Sequence, residues 1–356
     1  MDRPEFHART AAMDRRPIPL LLFALVALTP VPLILAGIWL GGAWLWAGFL
    51  YMAVVVIAID QMIPFVAGNA PEDSEFPASD RVLLAVGLSH LWLLPVAVWA
   101  IAGESGLTPG GRALVFLAAG YWMGQVAHPA AHELIHRGNR WLFWLGGTIY
   151  TSLLIGHHSS AHRLVHHRKV ATDDDPSSAP AGMGFWQFAP RSWIGSFRAG
   201  WAAEDALRAR RTTNGVHPYH LYLGGAAASL AVGWSLAGPF GAVAWLGLAA
   251  HAQLQMALAD YVQHYGLRRA RREDGRYEPV ANCHSWNTPH WFSSALMLNA
   301  PRHSDHHAHP ARPYPALQLL DDAPMLPWPL PLACTIAMIP RLWKRRMKPH
   351  VAKWSI

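Results

Sequence analysis

The sequence predicts an all-α integral membrane protein: six transmembrane helices carrying a histidine-rich di-metal cap on the cytoplasmic side. Three observations predict it. The chain of 356 residues is 52% hydrophobic and only 14% charged, with 18 tryptophans and a positive mean hydropathy. Soluble domains carry about 25% charged residues. The apolar residues gather into runs of about 20, the length that crosses a bilayer core. The 21 histidines lie mostly in short bursts.

The runs follow in order. The first spans about Pro17 to Leu40 and the second, after the Gly41-Gly42 turn, about Trp44 to Ile63. The third is about Val82 to Ala102, and the fourth starts near Ala113 and runs toward the first histidine burst. A long polar region precedes the fifth, about Leu221 to Leu236, and the sixth, about Ala242 to Tyr261, follows the Gly238-Pro239 turn. Trp141–Ile155 is too short for a span and reads as buried or interfacial. Met325–Ile339 holds Pro327, Pro329 and Pro331 and reads as interfacial too. The first run has a basic flank like a signal peptide, but it is long and shows no small-residue cleavage site, so it reads as an uncleaved anchor.

Lysine and arginine set the orientation. Arg3, Arg9, Arg15 and Arg16 precede the first span, which puts the N-terminus in the cytoplasm. Six spans then place Gln61–Arg81, His128–His220 and His264–Ile356 on the same side, and the last two hold nearly all the basic residues and clustered histidines. A single membrane domain divides accordingly: helices 1–4 in 1–127, a cytoplasmic histidine-box region in 128–220, helices 5–6 in 221–262, and a cytoplasmic C-terminal region in 263–356. The formal charge of +7 suits anionic headgroups or an acidic partner protein. The basic residues hug apolar segments and form no separate domain, which argues against nucleic acid. Cys283 and Cys334 are too few for a disulfide framework, a four-cysteine zinc site or an iron–sulfur site.

The histidine spacing carries the chemistry. His132 and His136 are i and i+4, as are His162 and His166, followed by His167. His303 and His307 are also i and i+4, with His306 between them. Such positions share a helix face, and neutral imidazole is a common ligand for transition metals. Eight histidines exceed what one metal takes, so two metals are expected, and His264 at the end of the sixth span makes nine. His90 and His251 sit alone within spans and read as packed, hydrogen-bonded residues. His128 is set aside because Pro129 follows it; His217, His220, His309 and His350 read as surface or interfacial. Two rivals exist. His132-Glu133-Leu134-Ile135-His136 also fits HExxH, in which the glutamate of a zinc protease is general base, but that leaves the other boxes idle. A metal transporter would hold its ligands near the bilayer midplane, not beyond the helix ends.

These residues resemble the membrane fatty-acid desaturase and hydroxylase superfamily, and within it the alkane 1-monooxygenases, the integral-membrane alkane hydroxylases. The likeness rests on HELIHR at 132–137, HRLVHHRKVATDDDP at 162–176, DYVQHYGLRR at 260–269, DGRYE at 274–278, HSWN at 284–287, RHSDHHAHP at 302–310 and NAPED at 69–73, and runs from about residue 60 to 340. The resemblance implies two iron ions held by His132, His136, His162, His166, His167, His264, His303, His306 and His307, without saying which serves which iron. It implies hydroxylation of the terminal carbon of an alkane or related chain, with O2 as oxidant. A fatty-acyl desaturase or hydroxylase of the same superfamily is the alternative. Glu133, His157, Asp174, Asp175, His284, His290 and Asp305 are candidates to orient the ligands or support them. The sequence departs from the family at Ala161 and Gln263, where glutamates are usual, and at Val165, where glycine is usual. Two carboxylates near the metals are therefore missing, which puts the substrate in doubt.

No flavin or nicotinamide fingerprint is present, so electrons must arrive from another protein. The resemblance implies rubredoxin and an NAD(P)H-dependent rubredoxin reductase, and a bacterial inner membrane with both termini and the metal site cytoplasmic. Lys344, Arg345, Arg346 and Lys348 suit either an acidic donor or lipid headgroups. Met52 and Tyr51 are candidates to face a substrate channel.

Overall fold

The computed structural model describes residues 16–63, 65–71, 74–210 and 215–354. Arg3, His7, Arg9, Arg15 and the Glu72-Asp73 end of NAPED lie outside the described residues. Among the described residues regular structure is helical, with isolated β-bridges at Val66–His290, Arg271–Tyr277 and Asn287–Met325.

Two helices, α1 (Leu20–Leu40) and α2 (Ala43–Met62), form a tight hairpin. Its turn is Gly41-Gly42, with φ of 64° and 54°, a region that favours glycine. Next come α3 (Ser79–Ala102), α4 (Pro109–Trp122) and α5 (His128–Ile135). A π-helical turn, Met123–Ala127, joins the last two into one run. Then α6 (Arg140–Ser152), α7 (His158–Ala161), a second π turn (His162–His166) and α8 (His167–Lys169) follow. The polar α9 (Phe185–Arg208) leads to the long α10 (Pro218–His264), which breaks at Ala237-Gly238. Gly238 has φ 58° and ψ −149°, matching Gly41 at 64° and −150°. A β-carbon on Gly241 would meet the Gly233 carbonyl oxygen, so the two legs of α10 lie against each other as a hairpin. The C-terminal region holds α11 (Trp291–Leu296), α12 (His303–Ala308), α13 (Leu330–Ala337) and α14 (Pro340–Val351).

Among the described residues four helices are long and apolar enough to cross a membrane: α1, α2, α3 and α10. Their outward faces expose Leu21, Leu25, Leu50, Val54, Leu84, Leu88, Val243 and Leu246, as lipid-facing surfaces do. The chain is an integral membrane protein on this ground. The expected fourth span is the α4–α5 run, which is not among the four. The expected fifth and sixth spans are the two legs of α10.

Buried polar ties join the helices to one another and to the C-terminal region. Asp60, near the end of α2, accepts hydrogen bonds from the backbone N–H groups of Phe292 and Ser293 at 2.9 and 3.1 Å. The Trp122 indole donates to the Ala27 carbonyl at 2.8 Å, and the Trp245 indole to Ser152 at 2.8 Å. Tyr51 donates to the Val26 carbonyl, so its hydroxyl is spent on packing.

Candidate metal centre

The first box closes α5: His132 lies within it, and His136, one turn on, is the residue that caps its C-terminal end. The second box is not a plain α-helix. The π turn runs over His162–His166, and its hydrogen bonds reach from i to i+5. His162 therefore meets His167, with Nε2 atoms 2.9 Å apart, and His166 points elsewhere. The third box lies in α12, where His303 and His307 are one turn apart with Nε2 atoms at 3.1 Å.

Nine imidazoles fall into two groups whose ligand atoms lie within 4.8 Å of one another. One is His132, His136, His162, His167 and His306; the other is His166, His264, His303 and His307. Within the first, His132 and His162 approach at 2.7 Å, and His306 and His167 at 3.1 Å. In the second, His303 and His264 meet at 3.0 Å. The groups adjoin: the His167 and His307 ring centroids are 4.6 Å apart. His166 and His167 are neighbours in sequence yet belong to different groups, and so do His306 and His307.

The donor set fits metal ions. Burial, then the neighbouring rings, holds His162, His167, His303, His306 and His307 well below the ordinary histidine range. They are neutral at pH 7, the form that ligates. His136 Nε2 and His166 Nε2 are buried with no hydrogen-bond partner among the described residues. An unpaired buried polar atom costs about 1–3 kcal/mol, which a bound ion removes. His166 departs from the rest. Burial lowers its pKa, but the Asp175 carboxylate, 2.8 Å from Nδ1, more than offsets this and raises it. Asp175 is itself fixed by the Ser178 hydroxyl and the Ser177 N–H. Its carboxyl is held below the usual range: burial opposes this, and His166 outweighs burial. Asp175→Asn is expected to weaken metal binding about 10- to 100-fold, as loss of a carboxylate behind a ligand imidazole generally does; chelator competition measures it.

The other supporting candidates are placed variously. Glu133 turns away from the groups, accepts from the Tyr314 N–H at 3.2 Å and pairs with Arg137 at 3.4 Å. Asp305 holds the loop after α12: it pairs with Arg312 at 2.6 Å and His309 at 2.9 Å and accepts from the Gln318 N–H. His284 bonds Glu278 at 3.0 Å, and the adjacent Ser285 hydroxyl lies 3.4 Å from His264 Nδ1. His157 packs against Phe197 and Trp193, His290 is buried at the bridge to Val66, and Asp174 is exposed.

Some histidines differ from the sequence reading. His217 is buried and stacks on Trp201 with centroids 4.9 Å apart. His90 bonds Ser152 at 2.9 Å as expected of a packed residue, but His251 Nδ1 has no partner among the described residues. His128 bonds the Tyr150 hydroxyl at 3.1 Å, and His158 packs 4.9 Å from His162. His128 stands four residues before His132 and His158 four before His162, at helical spacing, yet neither joins a group.

A cavity of about 240 Å³ reaches both groups, since His132 and His303 line it. Met52, Ile57, Leu254, Leu258, Met297 and Leu330 supply apolar wall. Such a cavity can hold a chain-like molecule with one end beside two metal sites.

Comparison with known proteins agrees with this geometry. Residues 108–331 match the fatty acid desaturase family. The chain is similar to alkane 1-monooxygenase 1 of Pseudomonas aeruginosa, 32% identical over 315 residues that cover 84% of this chain and 82% of that one. It is similar to alkane 1-monooxygenase 2 of Alcanivorax borkumensis, 29% identical over 330 residues covering 88% and 85%. It is also similar to an alkane 1-monooxygenase of Pseudomonas putida, 31% identical over 333 residues covering 90% and 82%.

Proposed function

We infer the function from one premise: the chain belongs to the alkane 1-monooxygenase family, within the fatty acid desaturase family. It is a membrane di-iron monooxygenase that hydroxylates the terminal carbon of an alkyl chain. The observation that carries this is the pair of adjoining histidine groups at one end of a largely apolar cavity.

Iron bound there would supply the oxidising power by which O2, two electrons and two protons convert a terminal C–H bond into an alcohol, with water as the other product. The chain's own residues do the rest. His132, His136, His162, His167 and His306 would hold one ion; His166, His264, His303 and His307 would hold the other. Asp175 fixes the His166 ring. Met52, Leu254, Leu258 and Met297 hold the alkyl chain and exclude water, with its end between His132 and His303. No side chain need act as a nucleophile.

The finer topology follows the same reading. Six spans comprise α1, α2, α3, the α4–α5 run and the two legs of α10. The N-terminus, C-terminus and both histidine groups face the cytoplasm of a bacterial inner membrane, and the four-part division of one membrane domain stands with it. Electrons come from rubredoxin, reduced by an NAD(P)H-dependent reductase, and the basic α14 suits such a donor.

The test is metal analysis of detergent-purified protein with n-octane turnover driven by rubredoxin, its reductase and NADH. Two irons per chain and 1-octanol as product are expected; an alkene product would point to a desaturase instead. The HExxH reading is addressed by Glu133→Gln. The Glu133 carboxylate faces Tyr314 and Arg137, so turnover is expected to fall less than about tenfold. A general base would lose at least about 100-fold.

A further inference from the structure

The cavity wall is more polar than a bare hydrocarbon requires. Tyr121, Gln125, His251, Gln255, Asp260 and Gln263 all line it. Polar side chains at membrane depth are costly and mark function, and here the fold makes room for them. Gly120 and Gly124 lie one turn apart on the run that leads to His132. A β-carbon on Gly120 would stand 2.0 Å from His251 Nδ1, and one on Gly124 would stand 2.4 Å from Gln255 Nε2. Two glycines thus let α10 seat two polar residues against the cavity.

One amide oxygen in this wall stands without a donor. Gln255 Nε2 donates to the Gly120 carbonyl at 2.8 Å, and Gln125 Nε2 to Gln255 Oε1 at 3.3 Å. That leaves Gln125 Oε1 buried without a partner, on a side chain only 9% exposed. Asp260 and Gln263 also line the cavity, four residues and one residue before His264, and Gln263 donates to the Ala300 carbonyl at 3.1 Å. A donor to Gln125 Oε1 is what the described residues do not supply.

We propose that the preferred substrate is an alkyl chain that carries a hydroxyl group, which donates to this wall while the opposite end lies at the histidine groups. The proposal rests on the monooxygenase reading above and names its substrate class. Gln125 precedes His132 by seven residues, roughly 10 Å along a helix axis, so the hydroxyl and the oxidised carbon are well separated. One atom of O2 enters the terminal C–H bond, the other leaves as water with two electrons and two protons, and the product is a diol. A site built to bond a hydroxyl discriminates strongly against the analogue lacking one.

The holoenzyme in lipid nanodiscs is assayed with n-octane, 1-octanol and 1-methoxyoctane, with KM expressed as membrane mole fraction. The expected KM for 1-octanol is at least about tenfold below that for n-octane, and the ether, which has no donor, gains nothing. Gln125→Leu raises the KM for 1-octanol about tenfold, with kcat changing much less. Gln125→Met serves as the second variant should the first not fold. Equal KM values for alkane and alcohol, or an alcohol preference untouched by both variants, overturn the proposal. If n-octane is oxidised at those equal values, the monooxygenase reading stands without it. If a chain with two irons oxidises neither, both fail.

Discussion

His264→Ala is expected to lower bound iron from two per chain to one and to cut hydroxylation by at least about a thousandfold. His264 belongs to the four-histidine group, where its Nε2 lies 3.0 Å from His303 Nε2. Removing one of four ligands empties that group and leaves the five-histidine group intact. His306→Ala is expected to empty the other. Each variant retains one iron, and each loses activity because the reaction needs both. The double variant is then no slower than either single one, since residues acting as a unit are not additive. Iron per chain and alcohol formed per minute are measured together. Full iron in either single variant, or losses that multiply in the double, would sink the two-group assignment.

Arg302→Met is expected to destabilise the cap by about 3–5 kcal/mol, the cost of leaving buried carbonyl oxygens without their donor. Arg302 is 3% exposed and immediately precedes the third box. Its guanidinium donates to Asn69 Oδ1 and the Leu317 carbonyl from one nitrogen, at 2.9 and 2.7 Å. From the other it donates to the Ala67 and Gly68 carbonyls, at 2.8 and 3.1 Å. Burial brings its pKa down to about 10, so it stays charged at neutral pH. Methionine fills the space and strands four acceptors. The cap is expected to melt earlier by about 10 °C and to release iron as it does, while membrane helix content persists. Circular dichroism and iron release followed on one heating ramp test this; coincident melting of helices and metal loss at the wild-type temperature would contradict it.

Much of the centre was legible in the chain. Imidazole is chemically distinctive, and boxes repeated at helical spacing leave few alternatives. The division between groups was not legible. An α-helical reading pairs His162 with His166, because i and i+4 share a face. The π turn instead gives His162 the fifth residue on, His167. Nothing local in HRLVHH announces that extra residue; the surrounding packing selects it. The same limit hid the polar wall. GYWMG reads as ordinary span sequence, and its glycines gain meaning only when His251 and Gln255 arrive from a helix some 130 residues later. The spans were read from length and apolarity, which is why the less apolar α4–α5 run stands apart from the four clear crossings.

Twice the chain steps from one histidine group to the other in a single residue, between His166 and His167 and again between His306 and His307. Consecutive Cα atoms across a trans peptide are about 3.8 Å apart. The two sites are therefore gauged by covalent rulers, one on each side, and not by the softer docking of one helix on another. Heating, detergent or a passing substrate can flex the membrane helices without retuning the interval between the sites. The converse is a narrow tolerance. One residue inserted at either step would put the rulers out of agreement, and no repacking of the membrane helices could restore it.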